Sequence, residues 1–169
     1  MKTSLPRVAR VVDMVDESPT VRTLVLDLKS EAAPGQFVMA WLPGLDEKPF
    51  SLVRADPVTL TIARVGPFST AVHALRAGDL LWLRGPLGQP VTLPPAGPVS
   101  PRPPLLLVGG GYGVAPLHFL AECARGSGWA LSMVIGARTT ADVIFVERFE
   151  ALGAPVAVTT DDGSLGQTG

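Results

Sequence analysis

An apolar run that empties straight into glycine constrains this chain more than anything else in it. Leu105-Leu106-Leu107-Val108 is followed by Gly109, Gly110, Gly111, Tyr112 and Gly113, then by Val114, Ala115 and Pro116. A short continuous apolar run of this kind reads as a strand buried on both faces, the habit of a parallel sheet. Proline suits the first turn of a helix, where its missing N–H costs nothing. Strand, glycine turn and helix start in that order bring uncovered backbone N–H groups to a helix N-terminus, which is how a fold holds phosphate. The spacing Gly109-x-Gly111-x-x-Val114 lacks the third glycine of the dinucleotide fingerprint, and Gly110-x-x-Gly113 offers another register. Two readings stand: a phosphate-holding turn for a nucleotide, or a turn rich in glycine only so that strand and helix pack closely. Four glycines in five residues exceed what packing needs.

The pattern on either side of this run differs. Before it, short β-rich segments alternate with turn signals: Val8 to Val15, Val21 to Leu28, Gln36 to Leu42, Phe50 to Arg54, Thr59 to Val65 and Leu80 to Arg84. Strands of about 5 to 8 residues at that spacing predict an antiparallel barrel or sandwich. One helix is predicted in this half, Thr70 to Leu75, stopped by Ala77-Gly78-Asp79. Residues 94–104 are dense in proline, which excludes helix and central strand and favours a stiff connection. The domain reading is therefore 1–97, a linker over 98–104, and 105–169. In the second part, strands at Leu105 to Val108, Ala130 to Ile135 and Val156 to Thr160 alternate with helices at Pro116 to Arg125 and Phe145 to Ala151. That alternation predicts a parallel sheet with right-handed crossovers. The fold class is β followed by α/β: an N-terminal antiparallel β-barrel, then a partial parallel α/β nucleotide-binding domain whose third strand has an open edge.

Composition narrows the function classes. A formal net charge of −1 leaves no electrostatic footprint for nucleic acid. The longest apolar runs fall short of a membrane span, and the first residues lack the apolar stretch of a secretory signal, so the expected site of action is the cytoplasm. One cysteine, Cys123, and two histidines exclude a zinc site and an iron–sulfur cluster within these residues, since a cluster takes about four thiolates. Cys123 reads as a small buried hydrophobe, His73 as part of a helix packed on the barrel, and His118 as a core or surface residue. Trp41, Trp82 and Trp129 read as core or interface residues, and Glu147 and Glu150 as a solvated helix face.

A second segment, Lys48-Pro49-Phe50-Ser51-Leu52, is by itself an ordinary edge-strand start. Three further stretches change that: Val65-Gly66-Pro67-Phe68-Ser69-Thr70 leading to Gly78-Asp79, Arg84-Gly85-Pro86-Leu87-Gly88, and Thr160-Asp161-Asp162-Gly163-Ser164-Leu165-Gly166. In this order and spacing they resemble the ferredoxin–NADP reductase superfamily, and more narrowly the electron-transfer subunits of NAD-dependent dihydroorotate dehydrogenase. The resemblance spans nearly the whole chain.

It implies an FAD-binding barrel, an NAD-binding α/β domain and hydride transfer between nicotinamide C4 and flavin N5. By position, Lys48 replaces an arginine that contacts the flavin pyrophosphate, Pro49 and Leu52 belong to the same flavin strand, and Phe50 lies against the isoalloxazine or its ribityl chain. Ser51 is the catalytic candidate, its hydroxyl directed at flavin N5. Gly66, Ser69 and Thr70 would hold the pyrophosphate. Gly109, Gly110, Gly111, Gly113, Val114, Ala115 and Pro116 would hold NAD, and Asp161, Asp162, Gly163 and Ser164 would contact its nicotinamide half. Two residues depart from the family pattern. Lysine is a point charge without the planar fork of arginine, and Phe50 has no phenolic hydroxyl to donate.

The resemblance also implies two further strands and a cysteine-rich segment binding a 2Fe–2S cluster, which would follow Gly169. The loop character of Gly163–Gly169 favours a stretch of a longer protein over a reduced relative without the cluster. The implied partner is a catalytic dehydrogenase subunit, an FMN-containing dihydroorotate dehydrogenase. Three other readings stay open: a stand-alone NAD(P)H:flavin reductase, the corresponding subunit of a sulfite reductase or hydrogenase, and a non-catalytic flavin-binding scaffold.

Overall fold

The protein is described from a computed structural model covering residues 5–93 and 104–169. The chain forms two compact units, Met1–Val91 and Thr92–Gly169. The proline-dense linker lies outside the described residues, apart from Pro104.

The first unit is a closed six-stranded barrel. Its strands are β1 (Arg7–Ser18), β2 (Val21–Leu26), β3 (Phe37–Leu42), β4 (Asp46–Ala55), β5 (Val58–Ala63) and β6 (Leu80–Leu87), with α1 (Pro67–His73) between β5 and β6. The barrel order is β1-β2-β5-β4-β3-β6, and every pairing is antiparallel. Alternation supplies the core. Val11, Leu24, Leu26, Leu60, Ile62 and Leu81 point inward and are fully buried. Thr23 and Thr61, directly opposed on β2 and β5, join hydroxyls at 2.7 Å. A buried hydroxyl needs such a partner.

Bounds shift by a few residues in several elements, and three of the shifts have a local reason. β4 starts four residues before Phe50, because Pro43-Gly44-Leu45 turns the chain tightly and lets Asp46 pair with Leu42. Pro49 is tolerated inside it because this part of β4 pairs only with β3, the β5 pairing beginning at Leu52. α1 starts at Pro67, not Thr70. Pro67 presets the first helical turn, and the Ser69 hydroxyl accepts the N–H groups of Val65 (2.9 Å) and Gly66 (3.0 Å). β6 runs on through Gly85 and Pro86 to Leu87, which pairs with Phe37. His73 packs on the barrel as expected, its Nε2 lying 2.8 Å from the Ile62 carbonyl.

The second unit holds a parallel sheet in the order β10-β9-β8-β7. Its elements are β7 (Leu105–Gly110), a 3-10 turn (Gly111–Val114), α2 (Ala115–Gly126), β8 (Leu131–Ala137), a second 3-10 turn (Thr140–Asp142), α3 (Val146–Ala151), β9 (Val156–Thr160) and β10 (Gln167–Thr168). β10 corrects the expectation of three strands with an open edge at the third. Gln167 and Thr168 pair parallel to Thr159 and Thr160, so the third strand is partly covered, and the outer strands of the described sheet are β10 and β7. Phe145 opens α3 in the left-handed region (φ +71°) and does not belong to the helix. Its buried ring meets His118 edge-on at 5.8 Å. Phe149 is fully buried between the helices and the sheet. His118 is a core residue, and Cys123 is exposed, not buried. The reason is phase: Ala121 and Ala124 carry the buried stripe of α2, and Cys123 falls between them.

Candidate functional site

On the first unit, β4 and the start of α1 enclose a cavity of about 260 Å³. Lys48, Pro49 and Phe50 line it from β4, Ala63 from β5, and Val65 through Ser69 from the turn into α1. Phe50 and Phe68 both line it and stack on each other, ring centroids 5.9 Å apart and planes 22° from parallel. Whole-ligand sites run from roughly 300 to 1,000 Å³, so this cavity suits one planar part of a larger ligand. Phe68, Val65 and Ala63 were not singled out from the sequence. Phe68 sits within Val65–Thr70, and its partnership with Phe50 is visible only once β4 meets α1.

Strand pairing separates the candidates on β4. Phe50 faces Val38 and Lys48 faces Ala40 on one side of the ribbon, while Ser51 pairs with Phe37 and Pro49 with Met39 on the other. Ser51 is exposed and lies outside the cavity lining, and Leu52, at 1% exposure, belongs to the barrel core. Lys48 Nζ lies 2.7 Å from Asp46, both side chains about half exposed. Lys48, and with it the Glu47 N–H, holds the Asp46 carboxyl below its ordinary range. Beside it, Arg84 grips Glu47 through two bonds of 3.1 and 3.0 Å, which fixes the outer side of β4. At α1, the Ser69 hydroxyl is buried and engaged: it accepts from Val65 and Gly66 and donates to the Gly66 carbonyl at 3.0 Å. Thr70 is exposed.

On the second unit, the glycine turn sits at the carboxyl end of β7, where open α/β sheets bind ligands. Its four glycines divide by role. A methyl on Gly109 would stand 2.9 Å from Leu117 Cδ1 and 3.3 Å from Val114 Cα, so packing demands glycine there. Gly111 has φ +52°, a conformation that favours glycine. Gly113 would meet nothing within 4 Å, and Gly110 only the Gly136 carbonyl at 3.8 Å. Neither packing nor backbone angle accounts for these two, and their bareness leaves the turn open to a close-fitting ligand. Val114 and Ala115 are buried anchors of the turn, and Pro116 takes the first turn of α2.

The loop after β9 lies at the same end of this parallel sheet. Ser164 Oγ accepts from the Thr140 N–H and hydroxyl, both at 2.8 Å, and bonds the Asp162 carboxylate at 2.6 Å. Asp161 and Asp162 donate their N–H groups to the carbonyls of Ala137 and Arg138. The Ser164 hydroxyl and N–H hold the Asp162 carboxyl below its ordinary range. Asp161 to Ser164 are thus tied to the end of β8 through Thr140, a residue the sequence did not flag. Among the described residues, no group of three or more His, Cys, Asp or Glu side chains could hold a metal, and no helix is long and apolar enough to cross a membrane.

No family model matches the chain. Its sequence is 38% identical over 164 residues to a probable dihydroorotate dehydrogenase B (NAD(+)) electron transfer subunit from Methanocaldococcus jannaschii, covering 97% of this chain and 60% of that protein. It is 41% identical over 172 residues to the same-named protein of Methanothermobacter thermautotrophicus, covering 98% and 62%. The chain therefore spans about three fifths of the length of these curated relatives. Among solved structures, an NADH-dependent reduced ferredoxin–NADP oxidoreductase superposes with TM-score 0.82 at 28% identity, over all of this chain and 61% of that one. A cytochrome P450 reductase from Amycolatopsis follows at TM-score 0.75 and 27% identity, over 92% and 52%. By sequence this stretch is similar to the dihydroorotate dehydrogenase electron-transfer subunits of these archaea, and by fold to ferredoxin–NADP reductase-like flavin reductases.

Proposed function

We propose that the chain is the flavin- and NAD-binding part of an electron-transfer subunit serving a catalytic dihydroorotate dehydrogenase, an FMN enzyme of pyrimidine synthesis in the cytoplasm. The observation that carries this reading is the cavity walled by Phe50 and Phe68 with Lys48 in its lining. Two stacked rings offer flat apolar surface to a tricyclic ring system, and a lysine beside them offers charge to a pyrophosphate. In the domain reading, residues 1–97 hold FAD and 105–169 hold NAD.

FAD and NAD(H), when bound, would supply hydride and single-electron redox chemistry. The chain's own residues position the reactants. Phe50 and Phe68 shield the flavin ring from water. Lys48 leaves Asp46 for a stronger anion, since phosphate carries more charge than one exposed carboxylate. Ser51 keeps its assignment to the reacting flavin nitrogen from the resemblance alone, since it is exposed on the other side of β4 from Phe50 and outside the cavity lining. The loop from Asp161 to Ser164, braced by Thr140, contacts the nicotinamide half. Hydride transfer asks for positioning more than for acid–base catalysis, which agrees with a site poor in titratable groups. With one cysteine in the chain, a 2Fe–2S centre requires thiolates from outside this stretch.

The test is spectroscopic. Purified protein reconstituted with FAD retains a yellow chromophore through gel filtration, and anaerobic NADH bleaches it. Phe50→Ala and Phe68→Ala each weaken FAD retention by about tenfold or more. A folded protein that takes up no FAD overturns the reading in favour of a scaffold, and FAD uptake without bleaching by NADH overturns the electron-transfer part.

A further inference from the structure

From Gly109 to Gly113 the turn after β7 carries a single side chain, that of Tyr112, which is also the one tyrosine of the chain. Gly109 is held by packing and Gly111 by its backbone angle, and Val114 and Ala115 are buried anchors. No such duty falls on the Tyr112 ring. Its backbone is fixed, because its carbonyl accepts the Ala115 N–H and closes the 3-10 turn. Its side chain is 57% exposed, and among the described residues no hydrogen bond or ring contact engages it.

The same turn is short of charge for an anion site. Leu105 to Leu117 contains no Lys, Arg or His. Its donors are backbone N–H groups and the partial positive charge at the start of α2. Those N–H groups converge, because Gly111 at φ +52° precedes the right-handed residues of the 3-10 turn, the alternation that makes a nest for an anion. A pyrophosphate bears charge on both of its phosphates. In this stretch the Tyr112 hydroxyl is the one side-chain donor, and an O–H given to an anionic oxygen bonds more tightly than one given to a neutral acceptor. Room for both partners is present, since a methyl at Gly111 or Gly113 would meet nothing within 4 Å.

We propose that Tyr112 is a nucleotide-contacting residue: its hydroxyl donates to the pyrophosphate of a bound dinucleotide, and its ring shields that contact from water. The assignment rests on the reading of this unit as the one that holds NAD. It gives the turn a donor that the backbone cannot supply, on a side chain whose polar tip and apolar body suit a contact at the edge of a wet site.

The experiment uses ADP-ribose, which has the pyrophosphate but no nicotinamide, and the 169-residue chain labelled in its tyrosine ring. A single tyrosine gives one set of ring resonances, so the signal needs no assignment. The expected result is a saturable shift of those resonances with ADP-ribose, and little shift with adenosine, which has no phosphate. Tyr112→Phe keeps the ring and loses only the hydroxyl. It binds ADP-ribose about tenfold more weakly by calorimetry, and the phosphorus resonances of the bound ligand move relative to the parent complex. Tyr112→Ala binds at least as weakly as Tyr112→Phe. Both variants melt like the parent, because the side chain already faces solvent. Parent-like affinity in Tyr112→Phe overturns the hydroxyl contact, even where Tyr112→Ala is weaker. Ring resonances that stay in place at saturation overturn it as well. A folded parent chain that binds neither ADP-ribose nor NADH overturns the NAD reading and this assignment together, an outcome distinct from nucleotide binding that is indifferent to residue 112.

Discussion

The glycine turn after β7 permits a sharp prediction, because its four glycines should fail in different ways. Alanine at Gly109 places a methyl 2.9 Å from Leu117 Cδ1, 3.1 Å from Val114 Cγ1 and 3.3 Å from Val114 Cα. Leu117 can rotate away at its tip, but the Val114 backbone cannot. Overpacking of this kind costs about 1–3 kcal/mol. At about 2–4 °C per kcal/mol for a chain of this size, Gly109→Ala lowers the melting temperature by roughly 2–12 °C. Gly111→Ala forces a side chain into φ +52°, at a cost of about 1–2 kcal/mol. Gly113→Ala meets open space inside a 3-10 turn, where alanine is favoured over glycine by about 0.5–1 kcal/mol. Its stability therefore holds or rises. Its methyl nevertheless stands over the N–H groups that a phosphate would approach, and NADH affinity falls by about tenfold, or about 1.4 kcal/mol. Calorimetry paired with NADH titration separates the two effects. If Gly110→Ala and Gly113→Ala both bind NADH like the parent chain, the turn is rich in glycine for packing and backbone reasons only.

Phe149→Ala removes a fully buried ring between α2, α3 and the sheet and destabilises the second unit by about 3–5 kcal/mol in denaturant unfolding; a loss under 1 kcal/mol would mean that the helices do not pack as described. Lys48→Ala leaves thermal stability nearly unchanged, since its exposed pair with Asp46 contributes little, yet weakens FAD binding in a salt-dependent way, and equal loss at all salt concentrations would remove Lys48 from the phosphate contact. The Asp162 carboxyl is depressed in the folded loop below its ordinary 3.8, so its bonds to Ser164 stabilise the loop above that pH and are lost as pH falls through the lower, folded value. Exchange at the Thr140 and Ser164 amides should accelerate only on that acid side, and Asp162→Asn should abolish the acid step. Cys123, exposed but with its thiol pushed above the ordinary range by partial burial and by Glu122, should alkylate more slowly than a free thiol at pH 8, and faster labelling would contradict that environment.

Much of the site was legible in residue order. The run from Leu105 to Pro116 announced strand, turn and helix, and the structure delivers them in that order. Lys48 to Ser51 was readable as a strand because the stretches that accompany it are local and ordered. What escaped notice depends on contacts between distant segments. Phe68 reads as the buried face of a short helix, and only the meeting of α1 with β4 makes it the second wall of a cavity. The separation of Ser51 from Phe50 onto opposite sides of β4 follows from the period-two geometry of a strand, but which residues line the cavity depends on where α1 packs against β4, since Pro49 lines it alongside Phe50 and Ser51 does not. Cys123 is apolar by residue type and follows Ala121 within a helix, yet it is exposed, because exposure on a helix is set by angular phase.

Sequence alone determined the class of each half, because hydrophobic period and turn residues act over a few neighbours and need no knowledge of the rest of the chain. It also determined that no cluster can be ligated within these residues, since thiolates can simply be counted. Only tertiary structure decided which glycines are crowded and which are bare, because a methyl's clash depends on atoms brought from another element. It likewise decided that β10 flanks β9 and that β7 and β10 are the outer strands of the second sheet: strand neighbours are chosen by crossovers and long-range pairing, which no local pattern records.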